Sequence, residues 1–88
     1  MYYILCIPRL EKSISKEQIL QCFWKFQLGK IEKINIVTNK SENKTAFIYM
    51  KEWFNSQNVD KIIKRFDNNQ DIKVVYNSPF YWKIVVAK

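Results

Sequence analysis

One run of alternating side chains, from Asn43 to Met50, constrains the fold of this 88-residue chain more than any other segment. The run is short and apolar and follows a polar, turn-prone segment, which is typical of a central β-strand. Because side chains alternate along a strand, the run has two different faces. One face is aliphatic, with Ala46, Ile48 and Met50. The other face is mainly aromatic, with Thr45, Phe47 and Tyr49. The aliphatic face requires helices to cover it.

An amphipathic helix is predicted before this strand. Ser15 is a suitable N-cap, and Gln18, three residues later, completes a capping box with it. Ile14, just before the cap, is placed to pack on Ile19. The apolar residues that follow have helical spacing: Ile19, Leu20, Phe23 and Phe26. Gly29 is predicted to end the helix, because glycine often occupies the position after a helix C-terminus.

A second amphipathic helix is predicted after the strand. Ser56 is its N-cap, and the pair Asn68 and Asn69 closes it. Between these signals the apolar residues recur three and four positions apart, as on one face of a helix. They are Val59, Ile62, Ile63 and Phe66. This apolar stripe requires a sheet to pack against.

Further strands are predicted toward both ends of the chain. Residues 2–7 are β-branched and aromatic and are followed by Pro8, which ends a first strand. Residues 31–36 form a second strand whose start is irregular, because its isoleucines break strict alternation there. Residues 72–76 and 81–87 flank a short turn that contains proline, and they form a hairpin.

The order of elements is therefore β-α-β-β-α-β in one domain, residues 1–88. Two right-handed crossovers of this kind place both helices on one face of a four-stranded antiparallel sheet. The predicted fold class is α+β, ferredoxin-like, with the first and third strands in the middle. The other face of the sheet then has no helix. It is expected to carry Tyr3, Leu5, Ile7, Lys33, Asn35, Val37, Thr45, Phe47, Tyr49, Tyr81, Lys83 and Val85.

The chain resembles RNA recognition motif domains over essentially its full length. Residues 43–50 are similar to the octamer on the third strand of that family, and residues 3–8 to its shorter first-strand motif. In this resemblance Tyr3 matches the stacking ring of the first strand and Phe47 the second ring of the octamer. Lys44 lies near the basic start of the octamer. The resemblance implies a single-stranded RNA or DNA ligand bound on the sheet.

The chain departs from the family pattern at three positions. Thr45 stands where the octamer has its first ring, Lys44 where it usually has glycine, and Cys6 where the first strand has asparagine. One of three expected stacking rings is therefore missing. Tyr49, on the same face as Phe47, compensates for it in part.

Short segments also resemble small uncharacterised proteins of large DNA viruses that infect eukaryotes. They are Ile7-Pro8-Arg9, Gly29-Lys30-Ile31 and Tyr81-Trp82-Lys83. The similarity implies no activity. It adds to an expected intracellular location, the host cytoplasm or nucleus if the protein is viral, which the absence of a disulfide framework favours.

Charge and flat rings together predict the binding chemistry. Tyr3, Phe47 and Tyr49 would offer rings to unstacked bases, each stack contributing ~1–3 kcal/mol. Lys33 and Lys83 would neutralise phosphates at opposite borders of the sheet, with Lys44 at a loop and Tyr81 extending the surface. The net charge of +7 favours nucleic acid. Abundant Lys, Asn and Ile are also what an AT-rich genome encodes, and arginine is scarce, which disfavours sequence-specific readout.

A protein-interaction surface or a homodimer is the alternative use of the same rings, because exposed apolar patches usually mark a partner. Catalysis, cofactors and metals are not expected. The chain has a single glycine and no histidine, which excludes glycine-rich phosphate loops and histidine-based nucleophile or metal sites. The eight acidic residues are scattered singly, without a carboxylate pair for acid-base chemistry. The longest apolar run is also too short to span a membrane.

Overall fold

The alternating runs form a five-stranded antiparallel sheet, and the two amphipathic segments form helices. The computed structural model describes residues 4–11, 13–38, 44–77 and 80–87. Its elements are β1 (Ile4–Leu10), α1 (Lys16–Lys25), β2 (Gly29–Thr38), β3 (Lys44–Trp53), α2 (Gln57–Asp67), β4 (Ile72–Asn77) and β5 (Phe80–Val86). The strand order across the sheet is β2-β3-β1-β5-β4. The predicted α+β class with two helices is thereby confirmed.

The predicted count of four strands is wrong, because the first arm of the hairpin is a full member of the sheet. Within the described residues β4 pairs with β5 from Ile72, opposite Ile84, to Asn77, opposite Phe80. Beyond Ile84, β5 changes partner and pairs with β1 through Val85 and Val86. The long last strand therefore joins the hairpin to the rest of the sheet.

Both helices pack on the same side of the sheet. Side chains from α1, α2 and the strands belong to one buried cluster, which includes Ile19, Phe23, Val59, Phe66, Leu5, Ile48, Trp82 and Ile84. Full burial of an aliphatic or aromatic side chain of this size stabilises the fold by about 1.5–3 kcal/mol. This shared core fixes which side of each strand faces the helices.

The faces of β3 agree with the predicted alternation, and those of β1 do not. Ala46, Ile48 and Met50 are buried, whereas Phe47 and Tyr49 are only partly buried. On β1 it is Leu5, opposite Ile48, that enters the core, and Ile7 does the same. The expectation that these two side chains lie on the uncovered face is therefore wrong.

The helix starts follow the predicted chemistry. The Gln18 backbone N–H donates to the Ser15 hydroxyl at 3.4 Å, and the Ser15 N–H donates to the Gln18 side-chain oxygen at 2.8 Å. On α2 the Val59 N–H donates to the Ser56 hydroxyl at 3.2 Å. Each bond satisfies a donor that a helix N-terminus otherwise leaves without a partner.

The end of α1 corrects the predicted role of glycine. The helix ends with two backbone hydrogen bonds from residues beyond it. The Leu28 N–H donates to the Phe23 carbonyl, and the Gln27 N–H donates to the Trp24 carbonyl. The left-handed residue that this closure requires is Gln27, with φ of 52°. Gly29 lies two residues further on, at the first position of β2, and its φ is not positive.

Gly29 is required instead for the close approach of β2 to β3. A Cβ atom at this position would overlap the backbone oxygen of Glu52, and it would lie 2.8 Å from Met50 Cε and 3.0 Å from Trp53 Cα. Two of these three atoms belong to the backbone, which cannot move without breaking the pairing of Gly29 with Trp53. Only a residue without a side chain fits between the strands here.

We expect Gly29→Ala to destabilise the protein by about 1–3 kcal/mol, the usual effect of forcing extra volume into a packed site. Urea unfolding followed by tryptophan fluorescence measures the change. Lys30→Ala is the matched control, because it removes only an exposed cross-strand ion pair with Glu52 (Nζ–Oε1 3.7 Å) and should change the free energy of unfolding by less than about 1 kcal/mol. Equal midpoints for both variants would contradict the explanation.

Gln27→Gly is expected to stabilise the protein by about 0.5–1 kcal/mol, because glycine adopts the left-handed conformation without the steric strain of a side chain. The Gln27 side chain is exposed, so little packing is lost. Asn69→Gly is the comparison. Asn69 ends α2 with φ of 57°, and asparagine already tolerates this conformation, so the gain should be smaller. Thermal unfolding measures both, and a lower Tm for Gln27→Gly would refute the prediction.

Candidate nucleic-acid interface

The side of the sheet opposite the helices carries the candidate site, and we call it the open face. Alternation from the buried residues of each strand assigns its members. In the described residues they are Ile4, Cys6, Lys33, Asn35, Val37, Thr45, Phe47, Tyr49, Lys73, Val75, Tyr81, Lys83 and Val85. Most of the predicted surface is therefore present, with Ile4 and Cys6 in place of Leu5 and Ile7. Tyr3, the predicted first-strand ring, lies outside the described residues.

Phe47 occupies the middle of this surface. Its cross-strand neighbours are Asn35 on β2 and Cys6 on β1. Burial raises the pKa of the Cys6 thiol, so this side chain is uncharged at neutral pH and acts as a small apolar neighbour of the ring. The carboxamide of Asn35 provides hydrogen-bond donors and an acceptor on the other side. The ring is thus flanked by one apolar and one polar group, and by no charge of either sign.

Tyr49 is covered by a lysine. The register of β2 shifts on both sides of Ile31, and after the second shift Lys33 lies directly opposite Tyr49. The Lys33 ammonium stands 4.6 Å from the centroid of the Tyr49 ring. A cation–π contact of this kind contributes about 0.5–1 kcal/mol at an exposed site. The irregular start predicted for this strand is therefore the feature that pairs the lysine with the ring.

A second ring and lysine pair lies on the hairpin. Tyr81 is 50% exposed, and the Lys73 ammonium stands 5.3 Å from its ring centroid. Lys73 is absent from the residues predicted for the site. Its position could have been read from the alternation of β4, in which Ile72 and Val74 are buried and Lys73 points to the other side. The four-strand prediction leaves β4 out of the sheet, and Lys73 with it.

The other two predicted lysines are placed differently from expectation. Lys83 is on the open face, but its ammonium is paired with the Asp71 carboxylate at 3.2 Å, so part of its charge is neutralised within the chain. Lys44 begins β3, and alternation groups it with Ala46 on the helix side rather than with Phe47. The open face therefore has Lys33 on its edge strand β2 and Lys73 on its other edge strand, β4.

Thr45 explains why one stacking ring is missing. Pro8 has no N–H to donate, and the pairing of β1 with β3 shifts between Ile7 and Leu10, next to this proline. The Thr45 hydroxyl donates to the Pro8 carbonyl at 3.1 Å and so links the two strands where the ladder is irregular. A ring at this position would break that link.

Comparisons with protein-family models, with curated proteins and with solved structures found no match for this chain. Neither helix of the described part of the chain could span a bilayer. The same described part contains no cluster of three or more metal-ligating side chains. Cys6 and Cys22 are free thiols.

Proposed function

We propose that the protein binds single-stranded nucleic acid on the open face, with bases stacked on Phe47 and Tyr49. The observation that carries the proposal is that two rings, Tyr49 and Tyr81, are paired with lysines on a sheet surface that neither helix covers, beside the ring of Phe47. Stacking on aromatic rings and neutralisation of phosphates are the two components by which proteins bind single strands. Duplexes fit less well, because their bases already stack on one another.

The magnitudes favour a base over the lysine as the partner of Tyr49. The contact between Lys33 and the ring contributes about 0.5–1 kcal/mol, whereas a stacked base contributes ~1–3 kcal/mol. A base that displaces the ammonium leaves it within reach of the adjacent phosphate, so its charge remains favourable after displacement. The same exchange applies to Lys73 and Tyr81 on the hairpin. Each lysine therefore protects a ring in the free protein and contacts phosphate in the complex.

We infer that the domain is RNA recognition motif-like and ferredoxin-like, with an added edge strand, which would suit this function. Omitting β4 from the observed order leaves β2-β3-β1-β5, with the first and third strands in the middle. This is the arrangement that the order β-α-β-β-α-β is expected to give. The free thiols Cys6 and Cys22 support an intracellular location.

A protein partner or a second copy of the chain is a second candidate for the same face. Exposed aliphatic side chains flank the rings, with Ile4 40% and Val37 45% exposed. Exposed apolar side chains of this kind are typical of interfaces between proteins. Sedimentation over a range of protein concentrations distinguishes the candidates, because a monomer that captures oligonucleotides favours nucleic acid and a dimer that ignores them favours this alternative.

We expect Phe47→Ala to weaken binding of a labelled single-stranded RNA of about ten nucleotides by roughly 5- to 100-fold, the equivalent of one lost stack. Tyr49→Ala should have a similar effect. Fluorescence anisotropy titration at fixed salt measures the affinity, and a DNA of matched sequence tests the choice of sugar. Affinity should also fall with salt, with a log–log slope of about −0.7 per phosphate contacted.

Two controls accompany these variants. Phe47→Leu keeps apolar volume at the position but removes the flat ring, so it should lose affinity even if Phe47→Ala is poorly folded. Trp24→Ala removes the most exposed ring on the helix side, where Trp24 is 66% exposed, and should leave affinity unchanged. Affinity that is insensitive to Phe47 and Tyr49, or equally sensitive to Trp24, would rule out the proposed surface.

Restoring the missing ring should strengthen binding. Thr45→Phe places a third ring on the open face about 7 Å along the strand from Phe47, and one further stack is expected to raise affinity by about 5- to 100-fold. Loss of the bond to the Pro8 carbonyl should lower stability by about 0.5–1.5 kcal/mol. Thr45→Val is the control, since it loses the same bond and adds no ring. Equal affinity for the two variants, measured by the same titration, would contradict the prediction.

A further inference from the structure

A groove of about 580 Å³ lies beside the edge strand β4. One wall is β4 together with the residue before it, 71–75, and the other is a face of α2. Side chains at its base are apolar, with Leu28 and Val74 almost completely buried and Ile62 partly buried. Phe26, 38% exposed, lines it as well.

The β4 wall belongs to the edge strand of the sheet. β4 is the last strand of the sheet, so only one of its sides has a strand neighbour. The outward N–H and C=O groups of such a strand alternate along its length and can pair with another extended segment. Four residues of β4, together with Asp71 before it, line the groove over a length of about 16 Å. The groove therefore matches a short extended peptide in both chemistry and length.

The α2 wall is positively charged. Lys61 and Arg65 are four residues apart, on the same side of the helix, and both line the groove. The Arg65 Nε donates to the Asp71 backbone carbonyl at 3.0 Å, which holds the guanidinium beside the start of β4. The acidic side chain in the lining, Asp71, is paired with Lys83, so its charge is offset. The charge of the groove is thus complementary to an acidic segment.

We propose that this groove binds an acidic, extended peptide segment of a partner protein, which adds to the sheet as a strand next to β4. Backbone pairing with β4 supplies affinity, and alternate apolar side chains of the peptide contact Ile62 and Val74. Acidic side chains on the same face of the peptide, beside the apolar ones, contact Lys61 and Arg65, which lie with Ile62 on α2. The lining contains neither Phe47 nor Tyr49, the rings proposed to stack bases, although it shares Lys73 with the open face.

The first experiment selects peptides from a random twelve-residue display library on the intact protein and measures the enriched peptides by fluorescence anisotropy. Enriched peptides should carry net negative charge and alternate apolar residues. Lys61→Glu should weaken their binding by about tenfold or more. Lys64→Glu, the same charge change on the same helix but outside the groove lining, should change it less than about twofold. Failure to enrich acidic peptides, or equal binding by the two variants, overturns the proposal.

The second experiment tests the extended geometry. Backbone N-methylation of the tightest peptide, one amide at a time, should abolish binding at every second position, because alternate N–H groups of an added strand face β4. A uniform loss, or a period of three to four residues, overturns strand addition. If the groove binds the single-stranded RNA through Lys61 and does not bind acidic peptides, its ligand is nucleic acid. This result also overturns the proposal.

Discussion

The antiparallel register between β1 and β3 determines most of what this molecule presents to solvent. Leu5 is paired with Ile48 and Ile7 with Ala46, and all four side chains are fully buried. Their burial under the helices fixes the orientation of both central strands, since a shift of one residue would move every side chain to the opposite face. Phe47 is consequently left on the uncovered side. The candidate site is therefore a by-product of the packing of the core.

The same register accounts for the composition of the open face. Pro8 interrupts the ladder near the end of β1, and the hydroxyl of Thr45 replaces the missing connection. A polar link between strands thus occupies the position at which a third ring would otherwise lie. The rings that remain on β3 are Phe47 and Tyr49, and Lys33 on the neighbouring strand β2 completes the group. Thr45 therefore affects both the pairing of β1 with β3 and the number of rings on the open face.

Local signals in the sequence predicted the local features correctly. The capping box of Ser15 and Gln18 and the alternation of β3 involve residues close in sequence, so their chemistry determines the outcome directly. The orientation of β1 could not be predicted in the same way, because both of its sides are apolar and only pairing with Ile48 distinguishes them. The role of Gly29 also depends on a contact distant in sequence, whereas its position after α1 suggests only a helix stop. Its actual constraint, the backbone at Glu52, is distant in sequence.

Net charge alone is a poor guide to the site, because lysines of one chain serve different purposes. Lys30 and Lys83 are paired with Glu52 and Asp71, so their positive charge is partly offset before any ligand arrives. A lysine over an aromatic ring keeps its full charge, and it lies where a stacked base would bring a phosphate. The ring contacts therefore single out the lysines proposed to contact phosphate, and the sequence alone could not, since each contact joins residues on neighbouring strands.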